Sequence, residues 1–278
     1  MPLNFELAGK TYDPITKTIT AEQIAAYAAA SRDDNPRYRA DHDDQVASPI
    51  FPVVPGFAEM GRVTTDPELN VENPLMIVHG EEEIVYHRPM RPGMTLTLTP
   101  SLESVEDKGS GATYVTKLTA EAGGELVNEQ YATIFVRGAG SGQERPKGEK
   151  PAPPTKGEEV ASFTQHVDEG MPPEYAEASG DHNPIHLNPD VATAVGLPGV
   201  INHGLGTLSV VSGGLVKHLA DGDPTRLRRL KVRFTDMVIP GSDLDTTVWD
   251  SDGDSFLFET TRPDGAVVMT GSLEVASG

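Results

Sequence analysis

An internal repeat constrains this chain more than any other feature of its sequence. The segment YAAASRDDNPRY, Tyr27 to Tyr38, aligns with YAEASGDHNPIH, Tyr175 to His186, with seven identical residues out of twelve and an offset of 148. The same offset, without a gap, pairs Pro55-Gly56 with His203-Gly204. Because chance does not keep register over such a length, the chain is a tandem duplication of a unit of about 120 to 130 residues.

A linker separates the two copies. The chain has 278 residues, and the stretch 138–159 lacks large apolar side chains and is rich in Gly, Pro, Lys and Glu. That composition is typical of segments that connect domains. The sequence therefore predicts a first unit over residues 1–137, a linker over 138–159, and a second unit over 160–278.

Two kinds of helix are predicted in each unit. Thr20 and Gln23 form a capping-box pattern that begins a helix at Ala21, and Asp168 is the equivalent cap in the second unit. Further along, the segment from Gly204 to Ala220 is apolar around most of its circumference. A helix of that kind is buried.

Runs of β-type residues follow the buried helix in each unit. They lie at 82–87, 94–99, 113–120 and 125–136, and at 230–236, 243–249, 255–261 and 266–275. One buried helix followed by a meander predicts an α+β fold, in which each antiparallel sheet wraps around a central helix. Two such sheets can join edge to edge, which would cover exposed strand edges.

Composition excludes several classes of protein. The chain has 22 basic and 42 acidic residues, a net charge of −20, whereas nucleic-acid binding needs a broad basic surface. Without cysteine there are no disulfides, thiolate nucleophiles or sulfur-ligated metals. The sequence shows neither a signal-peptide pattern nor a membrane-spanning apolar run, so we expect a cytoplasmic protein.

The second copy of the repeat resembles the signature of the MaoC-like hydratases, the enoyl-CoA hydratase 2 group. Ser179-Gly180-Asp181, Asn183-Pro184, His186 and His203-Gly204 all fall at the spacings of that family. The resemblance implies a double hot-dog fold and a role in fatty acid metabolism, without metal or cofactor. It also implies reversible syn addition of water to a trans-2-enoyl thioester of CoA or acyl carrier protein, giving the (R)-3-hydroxyacyl thioester.

The residues of this motif suit that reaction. A carboxylate and an imidazole held against one water can exchange both of its protons, and Asp181 and His186 are the matching pair. Asn183 with Pro184 can begin a short helix that folds His186 back toward Asp181, and we expect Asn183 to orient the pair. Gly204, at the start of the buried helix, can offer its amide to the thioester oxygen. These four residues are the predicted catalytic set.

Substrate contacts are predicted in two places. Ser179, Gly180 and His203 flank the pair, although His203 can equally be a structural hydrogen-bonder. Arg229, Lys231 and Arg233 belong to a basic run, and the first two correspond to Glu81 and Glu83 of the first unit. The run predicts a docking strip for CoA phosphates or an acidic carrier protein. Alternatively, its charges only prevent an exposed strand edge from pairing with another chain.

The first unit keeps only part of the motif. Asp33, Asn35 and Gly56 are retained, but Tyr38 stands where the second unit has His186. We therefore expect the active site in the second unit. The resemblance implies that the first unit makes room for bulky acyl chains; alternatively, it only completes the sheet.

Other functions fit parts of the same pattern. A hot-dog thioesterase would aim its water at C1 of the thioester instead of C3, and a non-catalytic subunit would bind acyl thioesters without turnover. His182 and His186 have a spacing seen in zinc sites, but Pro184 would place His182 outside the short helix, so we predict no metal. A monomer and a homodimer are both compatible with the sequence.

Overall fold

Ten antiparallel strands form one continuous sheet in the computed structural model, which describes residues 2–73, 76–142, 154–251 and 253–277. The strands are β1 (Ile15–Thr18), β2 (Ile77–Tyr86), β3 (Thr95–Asp107), β4 (Gly111–Ala122), β5 (Glu125–Arg137), β6 (Glu159–Val167), β7 (Leu227–Phe234), β8 (Ser242–Asp250), β9 (Ser255–Thr261) and β10 (Val267–Val275). Their order along the sheet is β1-β3-β4-β5-β2-β7-β10-β9-β8-β6.

The order of strands repeats the duplication seen in the sequence. Read outward from the centre, the first unit contributes β2-β5-β4-β3-β1 and the second contributes β7-β10-β9-β8-β6, so equivalent strands hold equivalent places. β2 and β7 join the two halves, with Glu83 directly opposite Lys231. The predicted double hot-dog fold with its sheets joined edge to edge is confirmed.

Five α-helices occur in the described ranges: α1 (Ala21–Ala30), α2 (Val53–Thr64), α3 (Met171–Ser179), α4 (Pro189–Ala194) and α5 (Gly204–Leu219). α5 is the buried helix that the sequence predicts, because Leu208, Val211 and Leu215 are almost wholly inaccessible and share one core with Leu230 and Val232 of β7. α2 is its shorter equivalent in the first unit. The core therefore lies between the helices and one face of the sheet.

The helix and strand boundaries predicted from the sequence agree with the structure to different degrees. The capping box at Thr20 and Gln23 is present. Asp168, in contrast, is wrongly predicted as a cap: α3 begins at Met171 after Gly170, and the Asp168 carboxylate accepts from the Arg32 guanidinium instead. The two edge strands, β1 and β6, were not predicted, and β2 begins five residues earlier than expected.

The two units meet in sequence near the predicted linker. β5 ends at Arg137 and β6 begins at Glu159, at the last residue of that stretch. Residues 143–153 lie outside the described ranges, and the unit boundaries stay a proposal. Across the ranges that the structure does describe, no helix has both the length and the apolar character needed to cross a membrane.

Candidate active site

The loop that carries the motif begins where α3 ends. Gly180 follows the last helical residue with φ +82°, a left-handed conformation that a glycine adopts without strain and that ends the helix. The chain then reverses at Asp181, whose amide donates to the buried Ser179 hydroxyl over 3.2 Å. Both residues thus shape the turn at Asp181, and their predicted contact with substrate stays a prediction.

A single turn of 3₁₀ helix, Pro184–His186, follows this reversal. Asn183 caps it by accepting the Ile185 amide on its side-chain oxygen at 3.3 Å, as its motif predicts. The main-chain amide of Asn183 donates to Oδ1 of Asp181 at 3.1 Å. Asn183 therefore connects to the acid through its backbone, while its exposed side chain holds the short helix.

His186 is buried and held in one tautomer. Its Nδ1–H donates to the main-chain oxygen of Ile201 at 2.8 Å, and a carbonyl oxygen can only accept. In the neutral ring the lone pair therefore sits on Nε2. Burial lowers the pKa of His186 below its usual value, against the opposing effects of the Ile201 hydrogen bond and the Asp181 charge. His186 is thus a neutral base at pH 7.

His203 completes the cluster from the start of α5. Its Nε2–H donates to the main-chain oxygen of Asp181 at 3.0 Å, and its ring centroid lies 3.9 Å from that of His186. Burial, followed by the charge of His186, lowers the pKa of His203 to about 4. His203 therefore has a structural role, because it connects the Asp181 loop to the start of α5. Its contact with substrate stays a prediction.

Asp181, His186 and His203 bring one donor atom each to within 4.8 Å of one another. A gap of that size accommodates a water or a small cation. His182 is not part of the group, since its Nδ1 lies 3.9 Å from the Glu177 carboxylate instead. The predicted catalytic pair is thus adjacent, as the spacing of the motif indicates.

Gly204 is the first residue of α5. An amide at this position has no partner within the helix and lies at the positive end of the helix dipole. A Cβ added here would meet the Phe234 ring at an ordinary 3.5 Å, so packing does not require a glycine. The oxyanion role of the Gly204 amide stays a prediction.

Two tyrosines behind the cluster were not predicted as a pair. Tyr27 and Tyr175 are equivalent in the repeat, and their buried hydroxyls lie 2.9 Å apart, with Ser209 2.7 Å from Tyr27. The Tyr175 ring centroid is 4.9 Å from that of His203. The repeat offset was the available signal, because equivalent residues of a two-fold arrangement meet at its axis.

The basic strip lies away from the cluster. Along β7 the side chains alternate, and Leu230 and Val232 enter the core while Arg229, Lys231 and Arg233 stand on the other face of the sheet. All three basic side chains pair with glutamates of β2. Side-chain nitrogens of Arg229 and Lys231 lie 2.6 Å and 3.1 Å from the Glu83 carboxylate, respectively, and a side-chain nitrogen of Arg233 lies 3.2 Å from the Glu81 carboxylate. The structure therefore does not bring these residues to Asp181 and His186.

The first unit repeats the geometry without the imidazole. Pro36–Tyr38 forms the same 3₁₀ turn, capped by Asn35. The Asn35 side chain donates to the main-chain oxygen of Gly222, and burial raises the pKa of half-buried Asp33 to about 6. The loop is thus fixed against the second unit, with a tyrosine in place of the base.

Comparison with known proteins agrees with this architecture. Residues 147–268 match the MaoC like domain, and residues 6–130 match the FAS1-like dehydratase domain region. A probable enoyl-CoA hydratase 2 from Dictyostelium discoideum is 30% identical over 208 residues, 73% of this chain and 71% of that protein. The 3-hydroxyacyl-thioester dehydratase Y of Mycobacterium tuberculosis is 31% identical over 253 residues, 84% and 83% of the two chains. The crystal structure of a MaoC-like dehydratase from Phytophthora capsici superposes with a TM-score of 0.83 at 26% identity, covering 99% and 98%.

Proposed function

The chain belongs to the family of MaoC-like dehydratases and enoyl-CoA hydratases 2, and we propose that it hydrates trans-2-enoyl thioesters to (R)-3-hydroxyacyl thioesters. One observation carries the proposal. His186 is held with its lone pair on Nε2, and one of its ring nitrogens lies within 4.8 Å of an Asp181 carboxylate oxygen, in the copy of the repeat that keeps both residues. A neutral base and a carboxylate at this separation are what a single water needs for addition to a double bond.

The proposed reaction uses one water between the two side chains. Oδ1 of Asp181 accepts the Asn183 amide, which leaves Oδ2 to accept one hydrogen of the water and orient it. His186 Nε2 takes the other hydrogen as the water oxygen bonds to C3. The proton then passes from His186 to C2 on the same face, so that the elements of water add syn and the ring returns to neutral.

The electrons of the double bond move toward the thioester during attack. Negative charge then develops on the thioester oxygen, and the Gly204 amide at the start of α5 is the donor proposed to stabilise it. The reverse sequence removes water from the 3-hydroxyacyl thioester. We propose acyl-CoA or acyl carrier protein thioesters as substrates, and the cytoplasm, from the sequence alone, as the location.

Incubation with crotonyl-CoA tests the reaction type. Hydration removes the enoyl absorbance without releasing thiol, and we expect the 3-hydroxybutyryl-CoA product to be the (R) enantiomer. Release of free CoA would indicate a thioesterase, and binding without turnover would indicate a non-catalytic subunit. An (S) product would contradict the proposed facial arrangement of Asp181 and His186.

Metal dependence is tested separately. One carboxylate and two imidazoles would also suit a zinc ion. We propose that no metal takes part, because His186 accounts for both proton transfers and Asp181 orients the water. Dialysis against EDTA should therefore leave the rate unchanged. A loss of activity that added zinc restores would overturn this part of the proposal.

A further inference from the structure

A shallow groove opens between the two units, and none of its walls comes from the candidate active site. The first unit supplies the segment before α2, the end of β2, the loop that follows it and Asn128 of β5. The second unit supplies the residues around the start of β7. The groove is open to solvent, so a ligand would lie along it and not inside a closed cavity.

Arg228 supplies the groove with a positive charge. In a chain of net charge −20, no carboxylate of the described residues lines the groove, and the side chains of His87 and Arg88 in its wall already pair with Glu129 and Glu125. Arg228 is exposed, and its guanidinium bonds only the main-chain oxygens of Thr225 and Leu227 within the described ranges. Its charge is thus available to an anion.

Two buried donors in the wall have unused hydrogen-bonding capacity. Ser48 and Asn128 are 5% and 1% exposed, and neither Ser48 Oγ nor Asn128 Nδ2 has a partner among the residues that the structure describes. Asn128 Oδ1 accepts from Gln130 at 3.0 Å, which leaves the amino group as the unpaired end. Buried donors without partners are costly, so an acceptor from a bound molecule would stabilise them.

Apolar side chains make up most of the remaining wall, among them Pro49, Pro52, Met90 and Leu227. The groove thus combines neutral donors in its buried wall, apolar sides and an exposed arginine. Its ligand needs a carbonyl-type acceptor on a largely apolar stem, with a negative charge where the stem reaches solvent. An acyl thioester on a phosphopantetheine arm has this order of groups.

The repeat relates this groove to the active site. Tyr86, which lines it, is equivalent to Phe234, and Pro52 precedes Gly56 as Val200 precedes Gly204. We propose that the first unit holds a second, non-catalytic site for phosphopantetheine thioesters, in which Ser48 and Asn128 bind carbonyl oxygens and Arg228 binds phosphate. Tyr38 in place of His186 leaves this site without a base. The proposal rests on the proposed function only for the class of ligand.

Titration calorimetry of the full chain with butyryl-CoA, which is saturated and cannot be hydrated, tests the second site. We expect two molecules to bind per chain in the wild type and one in Asn128→Leu/Arg228→Glu. The control Lys217→Glu, the same charge change at an exposed residue of α5, should still bind two. Hydration of crotonyl-CoA should stay within about twofold in all three proteins, because the groove shares no residue with the active site.

Arg228→Glu alone gives a test that does not disturb a buried residue. It should weaken the second binding event at least about tenfold, as for loss of a charged contact to phosphate. Octanoate, a carboxylate without a phosphopantetheine arm, should not displace butyryl-CoA from this site. Displacement by octanoate would overturn the ligand class.

The outcomes separate this proposal from the proposed function. One bound butyryl-CoA per wild-type chain, together with normal hydration of crotonyl-CoA, overturns the second site and leaves the reaction intact. Two bound molecules without hydration overturn the reaction and leave the second site intact. Two molecules bound to the double variant overturn the assignment of Asn128 and Arg228.

Discussion

Glu83 and Lys231 occupy equivalent positions in the two copies of the repeat and face each other where β2 joins β7, with Lys231 Nζ 3.1 Å from Glu83 Oε2. Tyr27 and Tyr175, also equivalent, meet through their hydroxyls. Both pairs lie on a local two-fold axis, where each unit contacts its own counterpart. Two glutamates at such a position would repel, so the opposite charges of the two copies follow from their meeting.

A charge swap tests this explanation. Lys231→Glu alone should lower the free energy of unfolding by about 1 kcal/mol, because it removes a partly exposed pair and adds a like charge. Glu83→Lys combined with Lys231→Glu should recover only part of the loss, because the rebuilt pair is offset by Arg229, which loses Glu83 as its partner at 2.6 Å. Urea unfolding of the four proteins of this cycle measures the coupling. Additive effects of the two substitutions would show that the pair contributes nothing.

The docking strip predicted from the sequence is tested with the same residues. If the strip binds the phosphates of the substrate, Arg229→Glu with Lys231→Glu should raise KM several-fold with little change in kcat, because the contacts are remote from the reacting atoms. Added salt should then weaken substrate binding more in the wild type than in the variant. An unchanged KM with the same salt response would leave these residues with ion pairing alone.

Local signals account for the parts of the fold that the sequence predicts well. The capping box at Thr20, the apolar circumference of α5 and the turns between strands all act within a few residues. The edge strands β1 and β6 were not predicted because they depend on pairing with β3 and β8, which are far away in sequence. Asp168 is not the cap because α3 begins only at Met171, after Gly170, and the Asp168 carboxylate binds Arg32 of the other unit, which no local pattern indicates.

The site likewise combines local features, which the sequence predicts, with contacts between distant segments, which it does not. The motif spacing correctly brings Asp181 and His186 together, because a proline-initiated turn is a local structure. The tautomer of His186 depends on the Ile201 carbonyl, and the orientation of His203 on the Asp181 carbonyl. Such bonds form only when α5 packs against the loop, and no motif records them.

Substitution of the dyad tests the catalytic assignment. Asp181→Asn and His186→Gln should each lower kcat by about 10² to 10⁴, the range for loss of a positioned acid or base. Circular dichroism and thermal unfolding should show that both variants fold. Retention of more than about a third of the wild-type rate by either variant would contradict the assignment of Asp181 and His186 as the catalytic pair.

The pH dependence of hydration follows from the burial of His186. Its pKa in the folded protein lies below the usual value of 6.5, and only the neutral ring can accept a proton from water. The acid limb of the kcat/KM profile should therefore have its midpoint below pH 6.5. A rate profile with crotonyl-CoA gives the midpoint, and NMR titration of the His186 ring gives the pKa independently. An acid limb centred above 6.5 would contradict the assignment of His186 as base.

Asp33 gives the corresponding prediction for the first unit. Burial raises its pKa from 3.8 to about 6, so the folded state disfavours the ionised form. Below pH 3.8 the carboxyl group of Asp33 is protonated in both the folded and the unfolded state, so it does not lower the free energy of unfolding. As the pH rises through about 6, the free energy of unfolding falls, because the buried group must ionise. The substitution Asp33→Asn would remove this loss while keeping a side-chain oxygen for the Asn35 amide, which donates to Oδ1 of Asp33 over 3.2 Å.

We therefore expect Asp33→Asn to raise the free energy of unfolding at pH 8 by on the order of 1–3 kcal/mol, and to change it little at pH 4. Hydration of crotonyl-CoA should stay within a few-fold of the wild type, because Tyr38 replaces the imidazole that would share a water with Asp33. The matched variant Asp181→Asn, at the equivalent position of the second unit, should lose activity instead. Loss of turnover in a stable Asp33→Asn protein would move the active site into the first unit, or divide it between the two.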